Sequence, residues 1–261
     1  MAELDSDEIR RHVRRTYAGI ALSTAGGCAP SCCSPQYAAV PGASGRLGYA
    51  PEELRCVPEG ADMGLGCGNP QLIAQLREGE VVLDLGSGGG FDCFLAAEKV
   101  GPSGRVIGVD MTPEMIEKAR RLARAGGIAN VEFRLGEIEH LPVADGEADV
   151  ILSNCVINLS ADKPQVYREA WRVLKPGGRL AISDVVAIAE LPGSLRDDLE
   201  KRAGCVAGAA TAEETARMLR DAGFGEYTVE IQEQSRDFIR DWFPGSGVED
   251  YVRSAAIRGR K

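Results

Sequence analysis

The residues with the most chemistry to offer in this chain are its eight cysteines. Cys28, Cys32, Cys33, Cys56 and Cys67 fall before residue 70, and Cys93, Cys155 and Cys205 are spread over the rest. A chain of 261 residues buries enough apolar surface to fold without staples. Its start, MAELDSDEIRRH, is charged where a secretory leader carries an apolar run. The thiols therefore read as free groups, metal or metalloid ligands, or a redox pair. A second constellation lies in VVLDLGSGGGFD, where Gly86, Ser87, Gly88 and Gly90 follow an apolar run and Asp84 stands two residues ahead of the first glycine. Such a loop lets the backbone approach a ligand closely, although tight-turn chemistry alone also produces one.

Elements that would position these groups are well punctuated. The runs 81–87, 105–111, 130–136, 148–154 and 179–186 are rich in β-branched residues and bounded by Gly, Asp or Asn, so five parallel strands are expected. Between them, 91–100, 113–125 and 165–174 repeat apolar residues every three or four positions, as crossover helices do. Thr112 precedes Pro113 as an N-cap, and LKPGG closes the third helix. Thr211 and Glu214 form a capping box for a helix over 211–224, followed by strands over 228–234 and 251–261. An amino-terminal helix places Ile9, Val13, Tyr17 and Ile20 on one face, and residues 23–69 read as irregular structure over the ligand crevice. The expected division is 1–69 as helix and Cys-rich arm, 70–225 as the ligand-binding domain and 226–261 as strands completing the sheet.

In an open parallel sheet the crevice lies at the carboxyl ends of the strands. Asp110 closes the second strand, where an acid accepts both hydroxyls of a ribose. The glycine spacing is GxGxG, and Asp84 would repel a diphosphate while suiting an ammonium. A ribose, a cationic amino-acid tail and no phosphate describe S-adenosylmethionine better than NAD. DLGSGGG, the Asp of GVDM, GEIEHLP and WRVLKPGG together resemble the class I S-adenosylmethionine-dependent methyltransferases over residues 70–225. The resemblance implies an α/β, Rossmann-like seven-stranded, mostly parallel sheet with an antiparallel last strand and helices on both faces. It also places Asp84, Gly86, Ser87, Gly88 and Gly90 near the methionine portion, Asp110 on the ribose, Glu137 on the adenine amino group, Met111 and Ile138 on the adenine faces and Asn154 on the cofactor tail. Met111 and Ile138 read equally well as core packing.

Cys155 ends the fourth strand, Cys205 follows the fifth and Cys67 precedes the first, so three thiols distant in sequence can meet beside the transferable methyl. Three thiolates suit a soft centre such as trivalent arsenic, whereas structural zinc wants four ligands with CxxC pairs, which this chain lacks. Taken singly, Cys155 or Cys205 reads as a small buried residue. GLGCGNP, DLGSGGGFDC, SNCVINL, ELPGSLR with AGC, and DYVRSAAIRGRK resemble the arsenite methyltransferase family over nearly the whole chain. The resemblance implies arsenic(III) coordination by Cys67, Cys155 and Cys205 and thiol exchange with one of Cys28, Cys32 and Cys33. More cysteines than three ligands require point to a thiol pair such as Cys67 with an amino-terminal cysteine that reduces arsenic and is reset by an external reductant such as glutathione or thioredoxin. Cys56 receives no role, and Cys93 reads as packing. His12, set among arginines, reads as part of a solvated helix face.

Net charge is −9, and no apolar stretch approaches the roughly 20 residues of a membrane span. No nucleic-acid or membrane partner is expected, and a cytoplasmic monomer acting on arsenite or its thiol conjugates is. The alternatives are a methyltransferase for a small organic substrate with redox-active cysteines, an arsenic-sequestering protein, and, weakest, an NAD-dependent oxidoreductase.

Overall fold

The computed structural model describes residues 5–23, 43–196 and 203–261. Cys28, Cys32 and Cys33 lie outside the described residues. Seven strands form one sheet: β1 (Val81–Leu85), β2 (Arg105–Asp110), β3 (Val131–Leu135), β4 (Ala148–Asn154), β5 (Leu174–Ala187), β6 (Glu226–Gln232) and β7 (Val252–Arg260). Their order is β3-β2-β1-β4-β5-β7-β6. β1 to β5 pair in parallel, and β7 runs antiparallel to both β5 and β6. The expected sheet is therefore present. β5 is longer than expected because Lys175–Gly178 joins it, and β6 starts two residues early, with 233–235 turning into a short 3-10 helix.

The helices are α1 (Ser6–Ser23), α2 (Ala43–Arg46), α3 (Pro51–Cys56), α4 (Pro70–Ala74), α5 (Phe91–Val100), α6 (Pro113–Ala125), α7 (Lys163–Val173), α8 (Gly193–Arg196), α9 (Ala212–Ala222) and α10 (Arg236–Ile239). Two short helices, α2 and α3, thus interrupt the segment read as irregular. The capping box is formed: Thr211 Oγ1 accepts from Glu214 N at 3.1 Å, and Glu214 Oε2 accepts from Thr211 N at 2.9 Å. Thr112 holds the N-cap position before Pro113 without a side-chain cap bond.

Strand alternation sends side chains to two cores. Leu83, Leu85, Ile151, Leu180 and Ile182 pack with Val166, Tyr167 and Ala170 of α7 and Leu219 of α9. Val82, Val106, Val150 and Leu152 pack with Phe94 and Ala97 of α5 and Ile116 and Ala119 of α6. Helices on both faces bury the central strands completely, which is why those strands read as continuous apolar runs. The sheet order reverses between β1 and β4, which opens a crevice above their carboxyl ends.

Candidate active site

Asp84, Gly86, Ser87, Gly88, Asp110, Met111, Ile138, Asn154 and Cys155 all line that crevice. Gly88 N donates to Asp110 Oδ2 at 2.9 Å and Thr112 N to Asp110 Oδ1 at 2.8 Å. These two bonds fix the carboxyl at the strand end and leave each oxygen a lone pair for a further donor. Two expected residues sit elsewhere. Gly90 adopts φ +92 and starts α5, and its place in the lining is taken by Gly89 and Phe91. An added Cβ at Gly90 would lie 2.8 Å from Phe133, so this glycine serves close packing. Glu137 points away to α1, where Arg10 Nε lies 3.6 Å and Arg14 Nη2 3.4 Å from its carboxylate oxygens. The next acid, Glu139, lines the crevice in its stead, 5% exposed and accepting from the Ser160 hydroxyl. Arg10 and Arg14 hold the Glu137 carboxylate toward α1. Arg10, Val13 and Tyr17 of α1 also line the crevice, so this helix covers it. On the same helix, His12 is half-buried, and its Nε2 is buried without a hydrogen-bond partner among the described residues, which corrects its reading as solvated.

Gly86 has φ +68, and a Cβ there would come 2.5 Å from both methyls of Val156. Left-handed strain plus overpacking predicts that Gly86→Ala destabilises the protein by about 2–4 kcal/mol. A thermal melt should show this as a Tm lowered by roughly 4–16 °C.

The cofactor wall is acidic. Asp84 and Asp92 are 3% and 7% exposed, and among the described residues no salt bridge reaches either of them or Asp110. Burial, then the charges of Asp92 and Asp110, hold the Asp84 carboxyl well above the usual range. Burial likewise raises Asp92, against hydrogen bonds from Tyr49, Asn154 and Gln71. Buried carboxylates without a salt-bridge partner among the described residues, with only the charge of Lys99 acting on Asp92, favour a ligand that brings positive charge, as the ammonium and sulfonium of S-adenosylmethionine do. The buried Ser87 hydroxyl, which has no hydrogen-bond partner among the described residues, adds a polar group to the same wall. Cys93 is buried in the core as expected, yet its thiol also donates to Asp84 Oδ2 at 3.2 Å.

The three candidate thiols converge. Cys67, Cys155 and Cys205 are 1%, 6% and 2% exposed and share an apolar cluster with Val185, Leu191, Val206 and Ile239. Cys67 and Cys155 sulfurs and a carboxylate oxygen of Asp184 lie within 4.8 Å of one another. Cys205 Sγ donates to the Cys155 carbonyl at 2.7 Å. Cys155 has φ +60 and Cys205 φ +63, a backbone region that non-glycine residues rarely enter. Interaction with Cys205 and Cys67, then burial, pushes the Cys155 thiol up. Burial does the same to Cys67. Cys205, although its bond to Cys155 favours the thiolate, is pushed up to about 11 by burial.

Asp184 escaped the sequence reading. Its Oδ2 accepts from Ile157 N at 2.9 Å, and its Oδ1 accepts from Asn158 Nδ2 at 2.9 Å and Val185 N at 2.7 Å. It therefore ties the turn after Cys155 to β5, and burial raises its carboxyl to about 6. Its one legible signal was an acid inside the apolar run AISDVV at the carboxyl end of a strand. Tyr49 and Asp92, which bond Asn154, and Gln71, which bonds Asp92, were also missed.

Residues 76–223 match the methyltransferase domain family, so the fold and crevice are those of an S-adenosylmethionine-dependent methyltransferase of class I. The full chain is 49% identical to the arsenite methyltransferase of Halobacterium salinarum, and it covers 68% of that protein. Over 86% of its length it is 37% identical to the human arsenite methyltransferase, covering 60% of it. The crystal structure of the arsenic(III) S-adenosylmethionine methyltransferase of Chlamydomonas reinhardtii superposes with a TM-score of 0.61 at 35% identity, over 88% of this chain and 74% of that one. The chain belongs to the arsenite methyltransferase family. It spans between about half and two thirds of the length of the curated relatives it matches. No helix among the described residues is long and apolar enough to cross a membrane.

Proposed function

We propose that this chain transfers a methyl group from S-adenosylmethionine to trivalent arsenic held by Cys67, Cys155 and Cys205, as part of arsenic detoxification. The observation that carries this reading is that three sequence-distant thiols share one buried cluster, with the Cys67 and Cys155 sulfurs within 4.8 Å, Cys205 bonded to the Cys155 carbonyl, and Cys155 also lining the acidic crevice. When bound, S-adenosylmethionine supplies an electrophilic methyl on a sulfonium. Asp84 and Asp92 would face its cationic end, Asp110 the ribose, and Met111, Ile138 and Glu139 the base.

The thiols need no base to load. Each S–H exchanges with one As–OH of arsenous acid, forming an As–S bond and releasing one water that carries away the thiol proton. Raised thiol pKa values are therefore compatible with binding, because the leaving hydroxide is the proton acceptor. The arsenic keeps its lone pair, and that pair is the nucleophile. Aligning it with the methyl is the main contribution asked of the protein. Arsenic is formally oxidised from trivalent to pentavalent as the As–C bond forms.

Regeneration is the second part of the proposal. Two thiols return arsenic to the trivalent state and become a disulfide, one of them from Cys28, Cys32 or Cys33, and an external thiol such as glutathione or thioredoxin reduces that disulfide. Replacing all three residues together should leave a single turnover intact and stop later ones. Unchanged multiple turnover would remove this part alone. The protein would act as a cytoplasmic monomer, where such reductants are supplied. Incubation with arsenite, a thiol and S-adenosylmethionine, followed by separation of arsenic species, tests the central claim. Absence of methylated arsenic with every thiol donor would defeat it.

A further inference from the structure

Tyr49 takes no part in the chemistry above, yet it is 3% exposed and hydrogen-bonded on both sides. Its hydroxyl donates to Asp92 Oδ1 at 2.8 Å and accepts from Asn154 Nδ2 at 3.1 Å. Burial, with the Asp92 charge, holds the phenol well above its usual range, so it remains a donor. Its ring meets Phe91 edge-on, with centroids 4.9 Å apart. Asn154 continues the chain of bonds. Its Nδ2 also donates to Asp92 Oδ2 at 3.2 Å and to the Gly68 carbonyl at 2.9 Å, and its Oδ1 accepts from Cys67 N at 3.0 Å. Gly66 lies so close that a Cβ there would stand 2.7 Å from Asn154 Nδ2. One end of this network is the acidic wall of the cofactor crevice. Its other end is the backbone of an arsenic-binding cysteine.

We infer that Tyr49 is a positioning residue that couples filling of the cofactor crevice to the seat of Cys67, so that the nucleoside and trivalent arsenic tighten each other's binding. The inference rests on the function proposed above. A cationic ligand beside Asp84 and Asp92 fixes the Asp92 carboxylate, and the donors it shares with Tyr49 fix the Asn154 amide. That amide holds Cys67 N. Ordering needed by the second ligand has then already been supplied by the first, which is positive cooperativity without a large movement. Met63, Leu65 and Gly66 line the crevice just ahead of Cys67, so the two ligands act on one short stretch of chain.

Removing only the hydroxyl separates this role from a structural one. In Tyr49→Phe the ring packing is kept, Asp92 Oδ1 still accepts from Gln71 Nε2 at 3.3 Å, and Asn154 keeps Gly68 and Cys67. No buried polar atom is orphaned, and the triangle loses one corner.

The test is calorimetric titration of arsenite into wild type and Tyr49→Phe, each with and without saturating S-adenosylhomocysteine, which has no methyl to transfer. In wild type the nucleoside should tighten arsenite binding at least about fivefold, with an equal reciprocal effect. In Tyr49→Phe the ratio should fall toward one, while arsenite binding without the nucleoside changes by less than about threefold. A merely structural role would weaken both titrations together and leave their ratio standing. Gly66→Ala pushes on Asn154 from the opposite side and should also lower the ratio, so it carries the test should the phenylalanine variant fail to fold. A ratio of one in wild type, or a full ratio in either folded variant, would overturn the coupling. Arsenite binding and methylation with a ratio of one would remove only this inference, whereas no arsenite binding by wild type would remove the proposed function and the coupling with it.

Discussion

Cys155→Ser and Cys205→Ser should each reduce methyl transfer to arsenite by at least about 100-fold, because one displaced ligand misplaces the nucleophile. Serine is nearly isosteric with cysteine, so the pocket survives, but its hydroxyl is a hard donor and does not replace a thiolate on a soft centre. The backbone gives these two positions additional weight. They adopt φ +60 and +63, and Gln75 is the one other non-glycine residue at positive φ among the described residues. Left-handed backbone costs roughly 1–2 kcal/mol for a residue with a Cβ, and such strain collects at functional sites. Product analysis of arsenic species reads the loss. For Cys205→Ser, whose residue does not line the cofactor crevice, calorimetry should show S-adenosylhomocysteine binding unaffected, and retained turnover of arsenite in either variant would sink the ligand assignment.

Asp84→Asn should have opposite effects on the empty protein and on its complex. The carboxyl is buried among other carboxylates, so its folded-state pKa is raised well above the unfolded value. A raised pKa contributes stability that is present below the unfolded pKa and lost as pH rises through the folded one. At neutral pH the unfolded chain gains by ionising this carboxyl where the empty folded protein resists it, and the asparagine variant removes that cost. We expect a Tm raised by several degrees at pH 7, on the scale of about 2–4 °C per kcal/mol. That gain should shrink as pH falls through the raised pKa of Asp84. The same substitution deletes the partner of the ligand's cation, and S-adenosylhomocysteine binding should weaken by about 2 kcal/mol or more, at least 30-fold. Paired melts at two pH values and a calorimetric titration check both signs. A variant that binds the nucleoside as wild type does would remove Asp84 from the cofactor site.

What the sequence made legible was the part whose signal is local. β1 to β4 lie within a residue or two of their expected bounds, β1, β2 and β4 because they are buried on both faces and the edge strand β3 because Asn130 and Gly136 bound it, and DLGSGGG with Asp110 marks the crevice because strand, turn and acid are close together in the chain. The cysteines could be grouped because sulfur is rare enough for three distant positions to stand out. Misplaced residues failed for a different reason. Whether Glu137 or Glu139 faces the crevice depends on which side of a short loop Arg10 and Arg14 occupy, and those arginines come from a helix more than 120 residues earlier. Gly89 and Gly90 differ only in which one must make room for Phe94 and Phe133. Tyr49, Gln71, Asp92 and Asp184 were silent because each acquires its meaning from a partner supplied by another segment. A tyrosine on its own carries no mark of the carboxylate it will meet.

The position of β7 has a consequence for the order in which the site is built. It is synthesised after β6 yet occupies the sheet between β5 and β6, so β6 has no lasting neighbour until β7 arrives. From this late strand, Ser254 Oγ donates to the Cys67 carbonyl at 2.7 Å, across 187 residues of sequence. A nascent chain halted before β7 would display all its cysteines without the clamp that seats Cys67. On the proposed function, trivalent arsenic met on the ribosome would then find scattered single thiols, and the three-thiol seat would be complete only as β7 slots into place.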